Sequence, residues 1–120
     1  MVKVRNEAVS VFGKIDILVV NAGISYRHST DNISVEEWQR VLRINLDGSF
    51  YTVKAFYEDF QTNKGKIIFI TSGSAITGTG GGVHYASSKA GQHGLMRGLS
   101  KELGPNGVNV HAVAPRVIQT

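Results

Sequence analysis

Tyr85 and Lys89 stand four residues apart in the segment Tyr-Ala-Ser-Ser-Lys, at the start of a stretch with helical spacing. Residues four apart share one face of an α-helix, so a phenol and an ammonium group would lie side by side. A neighbouring ammonium group favours the ionised form of a phenol. A proton donor tuned in this way suits the reduction of a carbonyl group or the reverse oxidation of an alcohol. For an isolated pair, however, an exposed lysine beside a half-buried tyrosine is the more frequent interpretation.

Polar residues at three further places accompany the pair in chain order. Ser72 lies thirteen residues before Tyr85, in a loop where its hydroxyl could cap a backbone group, and Ser74 is a second candidate two residues on. Asn45 falls within a predicted helix, where an isolated asparagine is usually exposed. Asn21-Ala22-Gly23 follows a short apolar strand and could be a plain turn.

The composition is that of one small globular domain. The chain has 120 residues, of which 42% are hydrophobic and 18% charged, and this length is too short for two domains. It has no cysteine, which excludes disulfides, cysteine-based zinc sites and a thiol nucleophile and makes the cytoplasm the expected location. No apolar run reaches the ~20 residues that span a bilayer, and the opening segment is too polar for a secretory signal. We therefore expect no membrane association.

The charge is basic, with a formal net charge of +4 and a pI near 9.6. Such a balance suits nucleic acid or an anionic ligand. The lysines and arginines are dispersed along the chain without a tight cluster. We therefore expect no nucleic-acid partner, whereas an anionic cofactor would be served equally well by the same excess.

Three short apolar runs predict β-strands over residues 15–20, 66–70 and 108–113. Apolar residues at helical spacing predict helices over residues 2–12, 35–60 and 84–103, and Ser34 with Glu37 forms a capping-box pattern before the second of them. Residues 71–83 are predicted to form a loop. The alternation predicts an α/β fold, a parallel sheet with crossover helices on both faces. The segments after the three strands would then meet at one edge, where ligands bind in such sheets.

Two other patterns are weaker indicators of function. The four histidines, His28, His84, His93 and His111, lie in different elements without a metal-ligand spacing, so we expect no metal site. The glycines between positions 78 and 82 follow a strand and precede a helix, but Val83 occupies the last glycine position of a dinucleotide-binding motif. A flexible loop beside a substrate cleft is the simpler interpretation.

Taken together and in order, these motifs resemble the short-chain dehydrogenase/reductase family, in particular its 3-oxoacyl carrier-protein reductases and secondary-alcohol dehydrogenases. The motifs that carry the resemblance are Asn21-Ala22-Gly23, Asn45, Ser72, Tyr85 with Lys89, and Pro115 with Ile118 and Thr120. The resemblance implies a Rossmann-type sheet and an NAD- or NADP-dependent interconversion of a carbonyl and a secondary alcohol. It implies that residues 1–120 form a single partial NAD(P)-binding domain, the catalytic half of the family fold, without the first βαβ half.

The resemblance also implies a role for each motif. Tyr85 would be the general acid in reduction, Lys89 would activate it and bind the nicotinamide ribose, and Ser72 would hold the carbonyl oxygen. Asn45 would hold a water that links Lys89 to solvent, at a local irregularity of its helix. Residues in two segments would contact the cofactor: Asn21, Ala22 and Gly23 in the first, Ile118 and Thr120 in the second.

Two departures from the family pattern bear on function. The family's glycine-rich pyrophosphate turn and the segment that covers the substrate are absent, so we expect the chain to be a fragment with an unpaired apolar edge at residues 17–20 and no turnover on its own. Arg116 stands where the family usually has glycine after Pro115, and it could strain the fit or meet a phosphate or acidic substrate.

The alternatives differ in class. The chain could be a non-catalytic oligomerisation or interaction module, because its two long helices resemble those that pack against a partner subunit in the family. In full-length form the resemblance implies a homo-oligomer. An epimerase or dehydratase that uses the same Tyr–Lys pair is less favoured, because Asn21-Ala22-Gly23 and Asn45 point to the reductase branch.

Overall fold

A computed structural model describes residues 1–117 of the chain. Helices and strands alternate along it, interrupted by one π-helical turn at Arg43–Asp47 and by 3-10 turns at Thr30–Asn32 and Gly104–Asn106. In chain order the elements are α1 (Val2–Phe12), β1 (Ile17–Val20), α2 (Val35–Leu42), α3 (Gly48–Asn63), β2 (Lys66–Ile70), α4 (Ser74–Thr77), α5 (Gly82–Leu103) and β3 (Asn109–Val113).

The three strands form one parallel sheet in the order β1-β2-β3. Leu18 lies opposite Ile67, and Ile67 lies opposite Val110, so the strands are in register and end together. The prediction of an α/β fold with a three-stranded parallel sheet and crossover helices is confirmed. The common end of the strands brings the segments that follow them to one edge.

One face of the sheet is covered, and the other is open. The covered face contributes Leu18, Val20, Ile67, Phe69 and Val110 to a core that α3 and α5 complete with Val53, Phe56, Phe60, Leu99 and Leu103. On the opposite face Ile17 and Val19 are 54% and 53% exposed. The expectation of helices on both faces was therefore wrong for the described residues. Two successive right-handed crossovers that advance in the same direction place both helices on the same face.

The predicted helix over residues 35–60 is present but divided. Ser34 caps α2 by accepting the backbone N–H of Glu37 at 3.0 Å, as the capping-box pattern predicts. At Arg43–Asp47 the helix widens into a π turn, and α3 then runs to Asn63. Such turns often occur at functional sites, and this one contains the buried Asn45.

The predicted loop over residues 71–83 holds a short helix, α4. Ser72 Oγ accepts the backbone N–H of Ser74 at 3.1 Å, which satisfies a free donor at the helix start. After α4 the chain passes through Gly80, Gly81 and Gly82, all at positive φ, and α5 begins at Gly82. Three successive residues at positive φ are free of strain only when all three are glycine. Helical periodicity did not predict α4 because its four residues make only about one turn.

None of the helices within residues 1–117 is both long enough and apolar enough to cross a membrane.

Candidate active site

The segments that follow the three strands meet at the edge where the strands end. The backbone N–H of Thr71 donates to the carbonyl of Val113 at 2.8 Å, and that of Gly73 donates to Pro115 at 2.9 Å. These bonds hold the segment after β2 against the segment after β3. Ile118 and Thr120, which the resemblance assigned to the cofactor, lie outside the described residues.

Tyr85 and Lys89 lie together on the first turns of α5. The Lys89 ammonium nitrogen is 5.7 Å from the centroid of the Tyr85 ring. Lys89 is only 4% exposed and its Nζ donates to the carbonyl oxygen of Ile70 at 2.9 Å, whereas the Tyr85 ring is half-buried. The pKa of Lys89 is below its usual 10.5 because burial disfavours the charged form. The helical spacing therefore does place a phenol beside a buried amine, at the sheet edge.

Asn45 joins the π turn to the loop after β1. Its Oδ1 accepts the backbone N–H of Ile24 at 2.8 Å, and its Nδ2 donates to the carbonyl of Ile24 at 2.9 Å and to Ser88 Oγ at 3.0 Å. Its main-chain oxygen accepts from Gln92 and from Ser49. The Asn45 amide thus pairs with loop backbone, and its predicted role in holding a water stays a prediction.

Replacing Asn45 by alanine is expected to lower the free energy of unfolding by about 3 kcal/mol, because the half-buried N–H and carbonyl of Ile24 and the buried Ser88 hydroxyl lose a partner. Urea unfolding of the chain measures this change. Asn6→Ala, at an exposed position of α1, is the matched control and should shift stability by no more than about 0.5 kcal/mol. Equal effects of the two substitutions would show that the Asn45 bonds contribute no stability.

A cavity of about 230 Å³ lies over Lys89, and Asn21, Gly23, Ser25 and Tyr85 also line it. A Cβ on Gly23 would point towards Lys89, at 3.5 Å from Nζ and 3.3 Å from Asn45 Oδ1, so only glycine leaves this space open. Lys89 uses one of its three protons on Ile70 among the described residues, which leaves two for a ligand. These features fit the ribose end of a nicotinamide nucleotide.

Ala22 does not share that cavity. It lies on the other side of β1, in an apolar cavity of about 500 Å³ whose walls include Val19, Arg43 and Tyr51. Asn21 lines both cavities. Of the three consecutive residues predicted to contact the cofactor, two face the Tyr85–Lys89 pair and Ala22 does not.

Ser72 and Tyr85 line a second cavity, of about 320 Å³. Ser74 lines it too, and Ser72 Oγ donates to Ser74 Oγ at 3.1 Å, so both serine candidates reach the same space. Thr79, Gly80 and Gly81 form its rim, in agreement with the predicted cleft-side loop. A Cβ on Gly81 would overlap the Tyr85 ring, so this glycine allows the loop to approach the phenol.

Sequence analysis missed a carboxylate between two histidines. Glu37 Oε1 is 2.8 Å from Nε2 of His84 and 2.9 Å from Nδ1 of His28. His84 is fully buried, and its Nδ1 accepts the backbone N–H of Tyr85 at 3.0 Å. Because Nδ1 accepts, Nε2 carries the proton that His84 donates to Glu37. These bonds connect α2 to the main chain of Tyr85.

The capping-box interpretation of Glu37 is correct only for its backbone N–H. The carboxylate that the pattern assigns to the helix start is instead hydrogen-bonded to the two histidines. No periodicity relates positions 28, 37 and 84, and the one available signal was that His84 directly precedes Tyr85. Within residues 1–117 no group of three potential ligands could hold a metal ion.

Glu37→Gln is expected to destabilise the chain near neutral pH but not in acid. Burial tends to raise the pKa of Glu37, but hydrogen bonds from His84 and His28 outweigh it, and the pKa lies below the usual 4.5. A carboxylate with a lowered pKa contributes stability above its unfolded-state pKa and loses it as the pH falls through the folded-state pKa. Urea unfolding across a pH series measures this, with the exposed Glu36→Gln as control. A difference from wild type that persists undiminished in acid would contradict the assignment.

The whole described sheet and site fall within one sequence family. A family model described as short chain dehydrogenase matches residues 1–120. A 3-oxoacyl-acyl-carrier-protein reductase, FabG, from Aquifex aeolicus is 39% identical over 119 residues, which are 98% of this chain and 48% of the relative. Trans-4-hydroxycyclohexanecarboxylate dehydrogenase from Sinomonas cyclohexanicum is 37% identical over 94% of this chain and 44% of the relative.

A further relative is L-rhamnose 1-dehydrogenase (NAD(P)(+)) from Sphingomonas sp. (strain SKA58), which is 35% identical over 95% of this chain and 46% of its own length. The chain spans about half the length of the curated relatives it matches. The relatives differ in substrate but share an oxidoreductase activity in their names. The chain therefore belongs to the short-chain dehydrogenase/reductase family, whose members are oxidoreductases that generally use NAD(P)-type cofactors.

Proposed function

We propose that the protein containing this chain interconverts a carbonyl compound and a secondary alcohol with NAD or NADP. The observation that carries the proposal is that Tyr85 lines both the cavity over Lys89 and the cavity of Ser72. A proton donor that lines both cavities can contact a cofactor in the first and a substrate in the second.

In the reducing direction a nicotinamide bound at this site would supply the hydride that the carbonyl carbon accepts. Tyr85 donates its phenolic proton to the carbonyl oxygen, so hydride and proton together convert the carbonyl to an alcohol. The Ser72 hydroxyl turns its one proton from Ser74 Oγ to the same oxygen, and this hydrogen bond stabilises the charge that develops there. Oxidation of the alcohol is the reverse, with Tyr85 as the base.

Lys89 and Asn45 support this proton transfer without contacting the carbonyl group. The positive charge of Lys89 stabilises the phenolate that remains after proton transfer, and its two remaining protons bind the ribose hydroxyls. Asn45 holds the loop that carries Asn21 and Gly23 against α5. We assign the cofactor to Asn21 and Gly23 of this loop, but not to Ala22, and to Ile118 and Thr120.

The test is the turnover of a panel of ketones and oxo esters with NADPH and with NADH, alongside calorimetric titration of each cofactor. It is made on this chain and on the longest reading frame that contains it. Cofactor binding with ketone-dependent oxidation supports the proposal. No binding at millimolar cofactor in either form would overturn it.

The second candidate function is a non-catalytic interaction module. It is favoured by an apolar groove of about 540 Å³ between α1, α3 and α5, which Phe50, Val53, Leu95 and Leu99 line. Phe50 is 47% exposed there, and burial of such surfaces between subunits favours association. Sedimentation velocity tests it, because a homo-oligomer that forms without any cofactor binding would support the module over the enzyme. In full-length form we propose a homo-oligomer through this face.

A further inference from the structure

Two arginines from distant parts of the sequence line the cavity that holds Ser72 and Tyr85. Arg27 comes from the loop after β1, and Arg116 comes from the segment after β3. The remaining lining residues are uncharged, and none of them is an aspartate or a glutamate. Two positive charges therefore face one cavity that contains the proposed proton donor.

Neither charge is neutralised by the part of the chain described. Arg27 and Arg116 take part in none of the salt bridges among residues 1–117, whereas Arg5 pairs with Asp59. Both arginines are exposed, so their charged forms incur no desolvation penalty. An arginine presents a planar fork of donors that matches the two oxygens of a carboxylate or phosphate.

The position of Arg116 depends on a glycine. The hydrogen bond from the Gly73 N–H to Pro115 holds the residue before Arg116 beside α4. The Arg116 side chain lies over Gly73, where a Cβ would overlap Arg116 Cγ. Gly73 has φ of −57°, which any residue adopts, so the lack of a side chain matters here for space. Arg116 is thereby held next to Ser72.

We propose that this cavity selects carbonyl substrates that carry an oxyanion, a carboxylate or a phosphate, bound by Arg27 and Arg116 while the carbonyl oxygen meets Ser72 and Tyr85. This inference rests on the proposed function, because it names the substrate class for that same site. The cavity volume of about 320 Å³ is at the small end of the range of about 300–1,000 Å³ for ligand sites, so the substrates are small. Arg116 is then a determinant of substrate specificity.

The test compares an oxo acid with its uncharged isostere. Ligand-observed NMR titration of the chain at low ionic strength uses 4-oxopentanoate, 4-oxopentanamide and a 4-oxoalkyl phosphate. The acid or the phosphate is expected to bind on the order of tenfold more tightly than the amide, because a single charge-assisted hydrogen bond increases affinity by about that factor. Which of the two anions binds more tightly identifies the group. If neither anion binds more tightly than the amide, or nothing binds, the inference is overturned.

Substitutions test whether the two arginines cause the preference for an anionic ligand over the uncharged amide. Arg116→Met keeps the stem over Gly73 and removes the charge, and together with Arg27→Met it should abolish the preference. Arg97→Met removes an exposed arginine of α5 that lines none of these cavities and should leave the preference intact. Gly73→Ala keeps both charges but displaces Arg116 and should weaken anion binding several-fold. Retention of the preference in the double variant would contradict the assignment.

The two proposals fail in different ways. Tyr85→Phe should retain the preference for the anion in binding, because the phenolic hydroxyl is not one of the two cationic contacts. If Tyr85→Phe keeps full turnover while the arginine variants lose the preference, the proposed mechanism fails and the anion site stands. If Tyr85→Phe abolishes turnover and the acid and amide bind equally, the anion site fails and the mechanism stands.

Discussion

Tyr85→Phe is expected to lower ketone reduction by roughly 100-fold to 10,000-fold, the contribution typical of a positioned general acid. The substitution removes one oxygen from a half-buried ring. Among the described residues that hydroxyl has no hydrogen-bond partner, so its loss leaves no buried group unsatisfied. The fold should therefore remain intact while the chemistry is lost. Initial rates with NADPH, together with thermal unfolding, measure both effects.

Tyr51→Phe is the matched control for this experiment. Tyr51 is 56% exposed on α3 and lines neither cavity beside Tyr85. It should alter neither the rate nor the midpoint of unfolding. Activity that survives Tyr85→Phe would remove Tyr85 from the mechanism, and a loss of structure in that variant would show a packing role for the hydroxyl instead.

Lys89→Met is expected to lower turnover by at least about 100-fold, because the phenol loses its charged neighbour and the cofactor loses two donors. Methionine preserves the length of the buried stem, so packing against the strand ends changes little. The measurement is kcat and KM for the cofactor and the ketone. An effect confined to stability, with kcat unchanged, would contradict the assigned role.

The same variant should remove a pH dependence of stability. Burial lowers the pKa of Lys89, so between that pKa and the usual 10.5 the folded chain binds fewer protons than the unfolded chain. The free energy of unfolding of the wild type therefore rises with pH through this window, relative to the variant. Urea unfolding of both proteins from neutral to alkaline pH measures the difference. Lys101→Met, at an exposed position of the same helix, should show no such change.

The open face of the sheet has a consequence for handling the chain. Ile17 and Val19 on the edge strand β1 are each more than half exposed, and the groove at Phe50 adds a second apolar surface. Apolar edges and patches of this kind promote association. Binding and turnover are therefore best compared at several protein concentrations.

Local patterns in the sequence determined much of this structure. The bounds of β2 and of α1 follow from apolar periodicity and from Gly13, and the pairing of Tyr85 with Lys89 follows from the helical repeat alone. Such features depend on residues a few positions apart, whose geometry is set by the backbone itself. The strand–helix alternation also predicted that the strand ends meet at one edge.

Contacts between distant segments were decided only by the tertiary structure. Glu37 and His84 are 47 positions apart, and whether the carboxylate reaches the imidazole depends on how α2 packs against α5. Likewise Asn45, in the π turn, contacts the backbone of Ile24, which lies 21 positions earlier in the chain. Side-chain distances of this kind vary with packing angles that no local pattern encodes.

The positive charge of the cavity lined by Ser72 and Tyr85 also depends on contacts between distant segments. In the sequence Arg116 stands out as a departure from the family pattern, whereas Arg27 does not stand out, since dispersed cations carry no signal by themselves. Their meeting in one cavity requires the strand order β1-β2-β3 and the space left by Gly73. The chain sequence thus determined which groups are present for chemistry, whereas the three-dimensional packing decided which of them share a cavity, because that depends on distances through space.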